Sequence, residues 1–169
     1  MKSEVRDLLQ MCVDDAPLGV ENIKDIPSLI VCWNNNAYGH NTDKHLVAIE
    51  NQLDIVFSKV TIIIMLIQYW KQTAENSKPR ELAEKQVATI LRQATDGRRY
   101  IEYLQEIPEN STLANIFESR LVNIFGALLE QQVSKNNIPQ WYIDDVKRSD
   151  SLPSFYADLL KRKARELLE

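Results

Sequence analysis

The stretch Leu53–Trp70, LDIVFSKVTIIIMLIQYW, constrains the fold more than any other, because it is the most apolar run in the chain. Such a run suits a strand, a membrane span or a buried helix. Ile62, Ile63 and Ile64 are β-branched and would fit a strand. The polar residues argue for a helix. Asp54, Ser58, Thr61, Gln68 and Gln72 follow at spacings of 4, 3, 7 and 4, with Met65 in the gap, and so share one narrow helical stripe. A strand would scatter them over both faces. A span needs about 20 mostly apolar residues, and Asp54 and Lys59 interrupt this one.

A helix that is apolar over most of its circumference is usually enclosed by others. The pattern therefore predicts a long hydrophobic central helix over about residues 43–75, about 50 Å in length. Thr42 is its expected N-cap, and Asp43 is favourably placed at the positive end. Lys59 lies opposite the polar stripe. It must snorkel, pair with a carboxylate or sit where the helix emerges, since an unpaired buried ammonium is strongly unfavourable.

The rest of the chain reads as amphipathic helices able to wrap that stretch. Val5, Leu8, Leu9 and Cys12 mark a short first helix over Ser3–Val13, ended by the Pro17–Gly19 region. Residues 20–41 are mixed, with Pro27, a short apolar set to Trp33 and a polar, turn-prone run through His40. Ser77 and Pro79 open a third main helix that stops at Asp96-Gly97. Asn110 or Ser111 caps another through about Lys135, Pro139 opens a short piece, and Ser151 with Pro153 starts the last. Four glycines in 169 residues argue against a many-turned β fold. The expected fold is all-α: a single-domain bundle of five to seven helices around the central one. Residues 1–41 form an N-terminal helix and irregular arm, and 42–169 the bundle core.

Motifs that carry chemistry are missing from the sequence. There is no GxSxG, no glycine-rich phosphate loop and no Glu-x-x-His. His40 and His45 stand five apart, near Cys32 and Asp43, which is neither an HxxxH nor a zinc-finger spacing. The pairs Asp14-Asp15 and Asp144-Asp145 are adjacent, so on a helix their carboxylates diverge. They read as a helix end and a solvated face. No enzyme, cofactor or metal is expected. Cys12 and Cys32 are expected as reduced, buried thiols, which suits a cytoplasmic setting. The first ten residues hold no apolar signal core, and the sequon at 110–112 has no secretory context. No membrane association is expected.

Two surfaces remain for function. The net charge of −4 gives no general attraction to nucleic acid, but local basic clusters stand out. Arg92, Arg98 and Arg99 bracket Gly97, and Lys161, Arg162, Lys163 and Arg165 run along the last helix. They could track phosphates, with Tyr100, Tyr103, Trp141 or Tyr142 as stacking surfaces. The second surface is apolar and aromatic: Trp33, Trp70 and Trp141, the Ile62–Ile67 run and the amphipathic last helix exceed what a minimal bundle needs, and Trp33, Tyr38, Trp141, Phe155 and Tyr156 are candidate interface anchors. The expected function is a non-enzymatic protein–protein interaction module, an adaptor or regulator that forms a homo-oligomer. The alternative is RNA or single-stranded DNA binding through the Arg/Lys clusters. The asparagine- and isoleucine-rich composition would suit a viral, phage or bacterial source.

Overall fold

The computed structural model describes residues 23–37 and 43–169, together with residue 6. Those residues are all-helical, as the pattern predicts, and no strand occurs among them. The helices are α1 (Ile26–Ala37), α2 (Asp43–Ser58), α3 (Ile63–Gln72), α4 (Lys78–Gln93), α5 (Arg98–Leu104), α6 (Thr112–Gln132), α7 (Gln140–Lys147) and α8 (Ser154–Leu168). A 3-10 turn at Ser149–Ser151 joins the last two. The expected helix over Ser3–Val13, Arg6 apart, lies outside the described residues, as do Cys12, Tyr38 and His40. By contact the chain divides into two compact units, one running to Ile90 and the other from Leu91 to Glu169.

One expectation is overturned. The apolar stretch is not a single long helix, because it breaks between Ser58 and Ile63. Val60, Thr61 and Ile62 are consecutive β-branched residues, which lose side-chain freedom against the preceding helical turn. Here α2 closes on tight turns, Lys59 N–H to Val56 O and Val60 N–H to Phe57 O. Ile62, extended at φ −105° and ψ 111°, then starts α3. The exposed break is supported from outside, since the Gln86 amide donates to the carbonyls of Val60 (2.9 Å) and Ser58 (3.3 Å). Lys59 sits at the break and is exposed. The division also lifts the helix count to eight among the described residues, above the five to seven expected.

The polar stripe is nevertheless real. Asp54, Ser58, Thr61, Met65, Gln68 and Gln72 are all exposed, so this face meets solvent across both helices. The opposite side is core: Leu53, Phe57, Leu66 and Ile67 are at most 1% exposed. In the first unit α1 packs on α2 and α3, with its own Leu29, Ile30 and Cys32 buried. Trp70 donates through its indole N–H to Glu84 at 3.0 Å. The Arg80 guanidinium lies 4.1 Å from the Trp70 ring centroid and donates to the carbonyls of Trp70 and Thr73.

In the second unit α6 packs on α8 and α5, and α7 packs on α8. Its buried stripe is Leu113, Phe117, Leu121, Phe125 and Leu129, a run of i+4 steps. Ser111 caps α6, accepting from Ala114 N–H at 3.1 Å, while Asn110 takes the left-handed conformation at φ 64°. Gly97 is needed for space. A Cβ there would stand 2.8 Å from Leu121 Cδ2 and 3.3 Å from both Ile124 Cγ2 and Phe125 Cε2.

Candidate functional site

The most concentrated polar constellation lies in the second unit around Asp145, a residue that the sequence places on a solvated helix face. The structure corrects that placement: Asp145 is 2% exposed. Tyr142 and Asp145 are the buried residues of α7 and lie three apart, on one helical face. A carboxylate on such a face needs partners, and it has them. Tyr156 O–H donates to Oδ2 at 2.6 Å. Arg148 donates to Oδ1 through Nε at 3.2 Å and Nη2 at 3.0 Å. Arg98 approaches from α5, with Nη1 3.2 Å from Oδ2 and Nη2 donating to Oδ1 at 3.4 Å.

Aromatic rings frame this node. The Phe125 and Tyr156 rings meet edge to face at 4.3 Å, and Arg98 stands 5.0 Å from the Trp141 ring centroid. Burial pushes the Tyr156 phenol well above its ordinary value; the hydrogen bond to Asp145 and the carboxylate's charge add to the rise, opposed by the two arginines. Tyr142, whose O–H donates to Leu160 O at 3.1 Å, is raised by burial first and by the charge of Glu166 second.

Chemically the node is saturated. Both Asp145 oxygens accept from protein donors, and the side chain is only 3% exposed. A carboxylate so placed joins α5, α7 and α8 and has no lone pair directed at an incoming group. Beside it Gly97, Arg98, Ile124, Leu128, Gln132 and Trp141 line a cavity of about 430 Å³. No three His, Cys, Asp or Glu side chains among the described residues stand together as a metal site. His45 is buried and Cys32 is fully buried.

The expected basic contacts disperse. Arg98 belongs to the Asp145 node, and Arg99 lies over the Tyr100 ring at 5.1 Å. Arg92 is exposed at the end of α4. Lys163 is only 9% exposed and pairs with Glu130 at 3.6 Å and Glu166 at 3.4 Å. Lys161, Arg162 and Arg165 stay together, exposed along one concavity of α8 with Asp158 and Leu159. The expected anchors divide likewise. Trp33 is half-buried and donates to Glu50 at 3.0 Å. Trp141 and Phe155 are half-buried, whereas Tyr156 is fully buried and is core, not surface.

Several large apolar side chains reach solvent. In the first unit they are Val31 (43% exposed), Val47 (52%), Ile55 (50%), Ile62 (54%) and Met65 (42%). Ile62 and Met65 belong to the apolar run Ile62–Ile67, and Met65 is also the apolar member of the polar stripe. No described helix is long and apolar enough to cross a membrane. No protein-family model, no curated protein and no solved structure matches this chain.

Proposed function

We propose that the chain is a non-enzymatic protein–protein interaction module, an adaptor or regulator. The observation that carries this reading is the set Val31, Val47, Ile55, Ile62 and Met65, each between 42 and 54% exposed on α1, α2 and the start of α3. Single exposed apolar residues are ordinary on any surface. Large apolar side chains at the surface are what a partner contact is built from, and this unit carries five. The saturated Asp145 node gives no support to a catalytic role. The buried Cys32 fits the cytoplasmic setting that belongs to this reading.

Photo-crosslinking tests it. A photoreactive residue replacing Ile55, Ile62 or Met65 should give a discrete adduct of defined mass in cells expressing the protein. The same residue replacing Gln72, exposed and polar, should give none. A smear, or an identical pattern at both sets, would count against the proposal.

A second reading has one observation in its favour. Lys161, Arg162 and Arg165 are exposed on one concave face and enter no ion pair among the described residues, so they are available to phosphates. RNA or single-stranded DNA binding at low salt, lost in K161E/R162E/R165E, would establish it. Absence of binding at low salt would end it.

A further inference from the structure

We infer that the second unit carries both halves of a head-to-tail contact between copies of this chain. The groove at the N-terminal end of α8 takes the basic C-terminal half of α8 from a second copy. The groove, a cavity of about 310 Å³, has Leu104, Ile107 and Leu152 in its wall and Glu109, Glu118 and Asp150 among its lining side chains. Glu109 and Asp150 are exposed, and Glu118 is half-buried. None of the three enters an ion pair among the described residues. The groove therefore presents uncompensated negative charge over an apolar wall.

The complementary surface is on the same helix. Lys161, Arg162 and Arg165 are exposed and enter no ion pair among the described residues, with Asp158 beside them in their concavity and Glu169 four positions past Arg165. Lys163 is turned inward to Glu130 and Glu166, which leaves its neighbours to define the outer face. Past them Leu168 is 88% exposed, an apolar side chain with nothing over it. One surface is acidic and apolar, the other basic and apolar, and each lacks what the other has.

Distance makes the match intermolecular. Ser154 lines the groove at the start of α8, and Arg162 and Arg165 come 8 and 11 residues later on that helix. At ~1.5 Å per residue that is about 12–17 Å along the axis, farther than an arginine side chain reaches back. The basic half cannot fill its own groove. A second copy can fill it, and because the two surfaces differ, the contact is heterologous and extends from copy to copy unless its rotation closes a ring. Exposed ion pairs bind weakly and are screened by salt, so the association should be modest and salt-sensitive. It uses none of the apolar residues of the first unit, so its failure would leave the crosslinking result at Ile55, Ile62 and Met65 standing.

Charge reversal with a mixing rescue tests this on the full chain. Sedimentation velocity in about 50 mM salt should show concentration-dependent association that fades by about 500 mM. E109K/E118K/D150K, with an all-basic pair of surfaces, should weaken it tenfold or more. K161E/R162E/R165E, with an all-acidic pair, should do the same. An equimolar mixture of the two should associate again, since each variant then meets the opposite charge on the other. Circular dichroism should give all forms the same helical content, and the milder E109Q/D150N should fall in between. A wild-type chain that stays monomeric at low salt would overturn the inference. So would either reversal leaving association intact, or a mixture that stays monomeric. A K161E/R162E/R165E variant that loses only RNA binding would assign the basic face to nucleic acid and likewise overturn it.

Discussion

At the scale of single residues, Asp145 is a polar side chain whose loss should be felt strongly. Asp145→Asn withdraws the charge that balances Arg98 and Arg148 and disturbs the Tyr156 hydrogen bond. Breaking a fully buried ion pair costs about 3–5 kcal/mol. The arginine side chains here are 39% and 58% exposed and can turn to water, so about 2–3 kcal/mol is expected, read from urea unfolding. Tyr156→Phe removes one donor to a charged acceptor and should cost about 1–2 kcal/mol.

Both raised tyrosines set the alkaline behaviour. The native state keeps their protons after an unfolded tyrosine, near pH ~10, has lost its own. Stability from these groups is thus complete below about pH 10 and falls as pH rises beyond it. Urea midpoints taken between about pH 9 and pH 11 should decline, and the decline should be shallower in Tyr156→Phe. Two glycines give a paired test. Gly97→Ala drives a Cβ against Leu121, Ile124 and Phe125 and should destabilise by about 1–2 kcal/mol. Gly126→Ala, in the middle of α6 with nothing within 4 Å of the new Cβ, should stabilise by about 0.5–1 kcal/mol.

At the scale of elements, helix ends account for what the sequence did and did not reveal. N-terminal caps are local, so Ser111 before α6 and Ser77 before α4 are readable from a few neighbouring residues. The C-terminal carbonyls are served by distant side chains. Arg120 donates to Leu91 O at 2.8 Å, Arg92 O at 3.2 Å and Ala94 O at 3.0 Å. Gln86 does the same for Ser58 and Val60, and Arg80 for Trp70 and Thr73. With few glycines available to end helices in the left-handed conformation, long amide and guanidinium side chains take the task. No local pattern shows a donor 29 positions away from its acceptor. The same reasoning explains the missed break in the apolar stretch. Its polar stripe has the correct helical phase on both sides, so periodicity alone sees one helix where β-branched residues and Gln86 make two. Arg120→Ala should cost about 1–3 kcal/mol by leaving carbonyls unsatisfied. Arg120→Lys should recover only part, because an ammonium cannot reproduce the planar fork. Denaturant midpoints of the three proteins check the order.

At the scale of the whole molecule, all-helical character is legible because it follows from periodicity and glycine scarcity, which are distributed over the chain. The polar node is not, because Asp145, Arg98 and Tyr156 come together only through tertiary packing. Asp145 and Arg98 are 47 positions apart, with nothing local to mark them as partners. A hint was nevertheless present in the Tyr142-Asp145-Arg148 spacing, which sets a carboxylate between an aromatic and a guanidinium on one face.

The compact unit Leu91–Glu169 contains that node together with Leu113, Phe117, Leu121, Phe125 and Leu160 as core, and the Arg120 contacts to Leu91, Arg92 and Ala94 fall inside it as well. At about 80 residues it is close to the smallest size that a single apolar core sustains without disulfide or metal. Expressed alone, residues 91–169 should therefore be helical by circular dichroism and unfold cooperatively, with low stability. Introducing Asp145→Asn into this fragment should abolish the cooperative transition, because a loss of ~2–3 kcal/mol consumes most of what such a core supplies. A fragment that melts without cooperativity before any substitution would show that its core does not suffice alone. A fragment indifferent to Asp145→Asn would show that the buried carboxylate is not what holds α5, α7 and α8 together.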